Sequence, residues 1–514
     1  MKPGNKIVFN TAILYGRMLI TIGINLYATR LILGNLGASD YGLYSLVGGV
    51  VAMLSFLNAA MTTSTQRYLS YNMGSGNIDN IKRVLGNSML IHTVLGLLLV
   101  VVFELVGLFF LETKLTIDPE RLSAARLIFH FTVVASFISI ISVPYDAVIN
   151  AHENMTFVAL INILESVLKL AIAVLLAFVL QDKLVVYGFL TMISSILLRV
   201  IKQVYCRKRY HECSVRPLRV YDRKLIGEMG AFAGWNLFGI ICGLSRSQGV
   251  AIVLNLFYST VMNAAYSIAN QVNNQMSFLS MTMMKTVRPQ MMKSEGAGDR
   301  RRMLRLSVFA GKFSFYLNSL ISIPIFIAMP QILQFWLKAV PAHTVSFCRY
   351  MVVLTLVQQF SMGIMAATQA TGRIKTYQLV VGTVQILTVP FSYWALKMGY
   401  PATSVMIIAL GLEVVATCFR IYYFNVITHY PTFKFLKEVM LVPLFPAVLA
   451  FFCISFYWEN INSGGSIMSL MSFFTFSAVL YSGLIYIVGT SSKEKEMVGA
   501  ILKTLTGKLK ALRN

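Results

Sequence analysis

Charge is scarce in this chain. Only 12% of its 514 residues are Asp, Glu, Lys or Arg, while 57% are hydrophobic; a soluble domain carries about a quarter charged residues. That shortage excludes water as the solvent for most of the fold. Acids are scarcer than bases, 20 against 44. In a soluble protein a net charge of +24 would suggest nucleic acid, but here the placement of the charge reads as membrane topology, and no nucleic-acid partner is expected. The six cysteines are scattered and show no disulfide framework. Cys206, His211 and Cys213 share one basic loop, yet they lack the close ligand pairs and fourth partner of a metal site. There is no G-x-x-x-x-G-K-[ST] phosphate loop and no H-E-x-x-H, and the six histidines are dispersed, so neither ATP hydrolysis nor zinc chemistry is expected. Long polar segments are missing too, which leaves no soluble domain to hold an enzyme's active site.

Apolar runs fill the space. A helix needs about 20 such residues to cross about 30 Å of hydrocarbon. The hydropathy predicts an all-α polytopic protein with spans near 7–29, 41–64, 86–111, 124–149, 156–180, 184–204, 228–254, 261–286, 304–329, 346–370, 377–397, 402–426, 439–457 and 467–489. Lys2 and Lys6 precede an apolar run with no small-residue cleavage pattern, which reads as an uncleaved first span. With fourteen spans, 32 Lys and Arg, Arg420 among them, fall on one side and 8 on the other, the remaining four being Arg17, Lys169, Arg246 and Lys312 within spans. The rule that positive loops stay inside then places both termini in the cytoplasm.

The longest basic connection, Tyr205 to Lys224, follows the sixth span. Across it runs a weak repeat at an offset near 220 residues: Asn35-Leu36 with Asn255-Leu256, Tyr44-Ser45 with Tyr266-Ser267, Arg67 with Arg288. These matches predict an N-terminal six-helix lobe at 1–204, a linker at 205–225, a second six-helix lobe at 226–426, two extra spans within 427–489 and a basic tail at 490–514. In the tail, Ile501, Leu502, Leu505 and Leu509 alternate with Lys503, Lys508 and Lys510, the pattern of an amphipathic helix on an anionic membrane surface or of a plain topological anchor.

Ionisable residues inside a span are functional candidates because an unpaired charge there costs several kcal/mol. Asn10, Arg17, Thr21 and Asn25 share a stripe of the first span. Facing a cavity, Arg17 would grip a phosphate with its planar fork; snorkelling to the headgroups is the competing reading. Asn236, Gly239, Gly243 and Arg246 share a stripe of the seventh span, where Arg246 is too deep to snorkel and the glycines permit close helix approach or leave room for a substrate. The eighth span is polar on a whole face, with Asn263, Ser267, Asn270, Asn274 and Ser277; so many amides suit a water-filled cavity better than lipid. Glu165 and Lys169 are spaced for an intrahelical ion pair. A proton- or sodium-coupling role is open for Glu165, Asp146, Glu104 or Glu413, with no other cofactor expected.

The segment RLILGNLGASDYGLY from Arg30 to Tyr44, followed by NAAMTTSTQRYL from Asn58 to Leu69, resembles the N-terminal pattern of Wzx-type polysaccharide flippases. These belong to the multidrug, oligosaccharidyl-lipid and polysaccharide exporter superfamily. The resemblance implies a MATE-like, V-shaped pair of six-helix lobes that works by alternating access on an undecaprenyl-diphosphate-linked oligosaccharide in a bacterial inner membrane. It implies that Arg17, Arg30, Asp40 and Arg246 stand nearest the family's charged cavity and gate positions. Glycan polymerase or glycosyltransferase partners would follow, and one chain supplying both lobes makes a monomer sufficient. Drug-exporting relatives commonly carry an acid in the first helix, where this chain has Arg17; that departure favours an anionic substrate over the alternative, a cation-coupled multidrug antiporter. A membrane glycan polymerase or ligase would need a larger outer loop than 112–123 or 330–345 supplies.

Overall fold

The computed structural model describes residues 3–52, 55–113, 117–258, 260–337, 340–461, 467–491 and 494–495. Among them all regular structure is helical: α1 (Pro3–Ala52), α2 (Ser55–Ser75), α3 (Ile78–Val102), α4 (Leu108–Thr113), α5 (Leu122–Ala151), α6 (Met155–Leu175), α7 (Lys183–Arg209), α8 (Arg223–Phe257), α9 (Thr260–Gly296), α10 (Arg300–Ile327), α11 (Met329–Leu337), α12 (Thr344–Gln359), α13 (Met362–Thr371), α14 (Lys375–Lys397), α15 (Ser404–Thr428), α16 (Thr432–Phe435), α17 (Val442–Ile461) and α18 (Ile467–Leu484). The local reasons are ordinary. Asn77, Asn154, Asp182 and Asp299 cap the starts of α3, α6, α7 and α10 by accepting from backbone N–H groups, which satisfies donors that have no partner within the helix. Gly37 breaks α1 with φ of 78°, a left-handed conformation that costs glycine nothing.

Large apolar side chains point outwards: Leu19, Leu26, Leu98, Ile252 and Phe452 are all more than half exposed. Small and polar ones are sealed inside, including Asn318, Ser319, Thr355, Gln359 and Thr368. This inversion of the soluble pattern is that of a multi-pass membrane protein, in which close packing and interhelical hydrogen bonds replace hydrophobic burial. Eleven helices among the described residues are long and apolar enough to cross a membrane, or twelve when α12 and α13, bent by 42°, count as one span. The remaining two expected spans, 41–64 and 261–286, do fall on helices, but outside that apolar set. The first straddles the junction of α1 and α2, and the second is the amide-rich α9. The expected tail helix around Ile501 to Leu509 lies outside the described residues.

The chain divides into two compact units. One comprises Phe9–Leu237 with Gly296–Gly298; the other comprises Met1–Val8, Phe238–Glu295 and Asp299–Asn514. The division falls within α8 and not in the basic connection. In the first unit, one core gathers Ala28, Ile32, Ile128, Phe129, Ala173 and Leu184. A second gathers Leu69, Leu85, Tyr145, Val148, Cys206 and Cys213. The segment expected to be a linker is therefore part of this unit's core. Asn87 of α3 holds it from both sides, donating to the Val220 carbonyl at 2.8 Å and accepting from the Asp222 N–H at 2.8 Å. In the second unit, α10 is the most enclosed of the long helices, with Ser307, Ala310, Ser314, Asn318, Ser319 and Ser322 buried. Helix approach there is tight: a Cβ on Gly363 would stand 1.9 Å from the Ser307 carbonyl oxygen.

Candidate functional site

In the second unit, two residues singled out separately from the sequence come together. Glu413 on α15 is fully buried, and Arg246 on α8 reaches one of its carboxylate oxygens at 3.1 Å. Arg420, two turns after Glu413 on the same face of α15, holds the other oxygen at 2.6 Å. Gln358 at the end of α12 donates to Glu413 at 3.3 Å. Ser361 and Thr417 stand near the Arg420 guanidinium, each at 3.4 Å. The cluster holds two guanidiniums and one carboxylate, so it is net positive and enclosed.

Arg420 corrects the sequence reading. Counted from the sequence as a topology charge of an inner segment, it is instead 7% exposed and paired. The clue was available: a carboxylate and an arginine seven residues apart in one span share a helix face. Arg246 keeps its place at mid-span, but as an ion-pair member. Its contact with Glu413 uses Nη1, and its side chain is 18% exposed, leaving its other donors accessible.

The glycines of α8 divide in role. A Cβ on Gly239 would lie 2.2 Å from the Gln378 amide oxygen, and one on Gly249 would lie 2.6 Å from Val389; both serve close approach to α14. Gly243 has ordinary clearance, 3.8 Å from Gln385. On α9, Asn274 is exposed together with Ser267, Gln271 and Gln275, so this polar face is not consumed by packing. Asn270 returns a bond to the Tyr266 carbonyl at 3.2 Å, and the enclosed Oδ1 of Asn263 has no hydrogen-bond partner. Asn273, which the stripe reading missed, accepts from Thr355 of α12.

In the first unit the polar stripe of α1 is largely a packing seam. Asn10 donates to the Glu153 carbonyl at 3.2 Å, and Asn25 donates to Ser166 of α6 at 3.1 Å. Asn35 donates to the Ala173 carbonyl at 2.9 Å. Arg17 sits beside this seam, half-buried, its Nε without a hydrogen-bond partner. The expected intrahelical pair of Glu165 with Lys169 is not formed: Glu165 is exposed.

Asp40 and Asp182 both bind Arg121. This clasp joins the continuation of α1, the turn at Pro119–Arg121 and the start of α7, so Asp40 is a tie between elements. Arg30 is exposed on α1. Asp146 pairs with Lys202 at 2.8 Å and Glu104 with His130 at 3.0 Å. Asn236 is buried in the first unit, donating to the Phe232 carbonyl at 3.0 Å.

Residues 18–175 match the family model MatE. Solved structures carry the likeness over most of the chain. A MATE in the bent conformation superposes with a TM-score of 0.73 at 14% identity, over 85% of this chain and 97% of its own. An outward-facing multidrug resistance MATE family transporter of the MOP superfamily gives 0.70 at 15% identity, over 84% and 96%. A MOP superfamily transporter from Pyrococcus furiosus Vc1, described as having a binding pocket whose reverse polarity suggests a different function, gives 0.69 at 15% identity, over 84% and 96%. No curated protein sequence matches the chain. The expected MATE fold is the one observed.

Proposed function

We propose that this chain is a transporter, not an enzyme, and that it moves an undecaprenyl-diphosphate-linked oligosaccharide from the cytoplasmic to the outer face of a bacterial inner membrane by alternating access. The carrying observation is the cluster of Arg246, Glu413 and Arg420. One carboxylate orients two guanidiniums, and Arg246 retains accessible donors. A guanidinium with free N–H groups in a low-dielectric setting binds phosphate oxygens in a fork, at roughly twice the strength of a neutral hydrogen bond. Arg17 stands on α1 where drug-exporting relatives commonly carry an acid, which agrees with an anionic substrate.

The fold is shared with a multidrug resistance transporter and with one described as having a binding pocket of reverse polarity, so fold alone does not choose the substrate. The net positive charge of the cluster favours an anion over a cationic drug. Glu413 is occupied on both oxygens, which makes it a poor acceptor for a coupling proton; Glu165, exposed and without an ion pair, is the better candidate. The substrate's sugar end would come from glycosyltransferases and pass to a polymerase, and the surrounding lipids are the only other partners the reading requires.

Sealed vesicles containing the purified protein and a labelled undecaprenyl-diphosphate oligosaccharide test this directly. Protein-dependent appearance of the glycan on the opposite face is expected, reduced at least tenfold by Arg246→Ala with normal insertion, about the 1.5–3 kcal/mol of a charged hydrogen bond. Ion-driven movement of small organic cations without glycan translocation would move the assignment to drug antiport.

A further inference from the structure

In the second unit, two single-turn π-helical segments, Leu436–Leu441 before α17 and Ile485–Gly489 after α18, contribute walls to the same groove. It has a volume of about 430 Å³ and is lined by Phe433, Lys437, Leu441, Val442, Phe445 and Val488. The first π turn precedes Pro443 and Pro446; neither can donate to the helix ladder, and a widened turn accommodates the shift. The second ends at Gly489, whose carbonyl accepts from the Tyr316 hydroxyl at 2.7 Å and where a Cβ would lie 3.5 Å from Pro446. The second widened turn is thus fixed against α10 and α17, and both turns line the groove.

Its chemistry is that of an amphiphile. Phe433, Leu441, Phe445 and Val488 are 75, 57, 60 and 45% exposed, an apolar trough open to lipid. At its rim Lys437 is exposed, and no hydrogen bond or ion pair engages it among the described residues. The neighbouring acid is occupied: Glu438 accepts from the Tyr430 hydroxyl at 2.7 Å. Two further ammonium groups stand on the flanking segments, Lys434 over the Tyr430 ring and Lys495 on the Ile487 carbonyl at 3.2 Å. An apolar trough that carries an unmatched cation complements one acyl chain joined to one phosphate.

We propose that this groove holds one acidic phospholipid of the surrounding bilayer, its acyl chain in the trough and its phosphate on Lys437. The site is independent of the transported substrate. It makes the last two spans a lipid-anchored wall of the second unit.

The test is native mass spectrometry of the purified full-length protein in detergent, titrated with equal concentrations of dioleoylphosphatidylglycerol and dioleoylphosphatidylcholine. Wild-type protein retains phosphatidylglycerol preferentially. Lys437→Ala weakens that retention about fivefold, the factor for one lysine beside an anionic headgroup, and leaves phosphatidylcholine unchanged. Val488→Trp, which narrows the trough on its lipid side, lowers retention of both. Unaltered melting temperatures confirm that the variants fold. Equal retention of the two lipids by the wild type, or phosphatidylglycerol binding indifferent to both substitutions, overturns the proposal. Stronger retention of undecaprenyl phosphate than of phosphatidylglycerol also overturns it, by making the groove a substrate subsite.

Discussion

Glu413 is the residue on which the second unit's electrostatics turn. Its carboxylate has no exposure, and two guanidiniums converge on it. Removing one member of such a set leaves charge buried without compensation, which costs about 3–5 kcal/mol. Glu413→Gln is therefore expected to lower the thermal melting point of the detergent-solubilised protein, and a double variant that adds Arg420→Met to recover part of the loss, because an apolar side chain of similar volume needs no partner. No recovery in the double variant would mean that Arg420 is held by Ser361 and Thr417 independently of Glu413. Lys312 shows the same logic with a different source of charge. Its ammonium, 8% exposed on α10, is neutralised by Glu494 at 2.8 Å, a residue far beyond it in sequence that no periodicity within the span reveals.

At the scale of elements, two contacts decide how segments lie. Gly363 lets α13 approach α10 until backbone meets backbone. Gly363→Ala is expected to destabilise by about 1–3 kcal/mol, as overpacking does, measurable as an earlier unfolding transition; an unchanged transition would mean the two helices separate at little cost. The basic connection is the other case. Burial would raise the Glu212 carboxyl, but the hydrogen bond from His152 at 2.6 Å brings it below the usual carboxylate value of 4.5. A depressed carboxylate stabilises above its unfolded value and loses that contribution as pH falls through the folded one. Protection factors for hydrogen exchange across residues 210–215, corrected for the intrinsic pH dependence of exchange, should therefore hold at and above pH 4.5 and fall only below it. Glu212→Gln should remove the pH dependence. The Tyr210 ring stacked on His152 at 3.9 Å explains why a segment this basic still docks: aromatic and amide contacts hold it while its arginines face solvent.

For the whole molecule, orientation is the open expectation. The excess of basic residues predicts Arg209 on the cytoplasmic side and Asp118 on the outer side. Single cysteines introduced at these positions should react with an impermeant maleimide only after lysis and in intact spheroplasts, respectively; the reverse pattern would invert the topology and with it the direction of the proposed transport.

The sequence by itself determined the solvent and the class. Scarce charge and recurring apolar runs leave no other folded solution than a helical membrane protein, since every backbone group must be satisfied within its own helix. It also exposed Arg246 and the polar face of α9, because periodicity places residues on faces. What periodicity cannot supply is the neighbour across the gap. Only the tertiary structure joined Arg246 to Glu413 and Arg420, turned much of the α1 stripe from a cavity wall into a seam against α6, and left Glu165 unpaired with Lys169. It also docked the basic connection onto α3. Each depends on contacts between segments distant in sequence, and the pairing energy of a charge in a membrane is set by those contacts and not by its own helix.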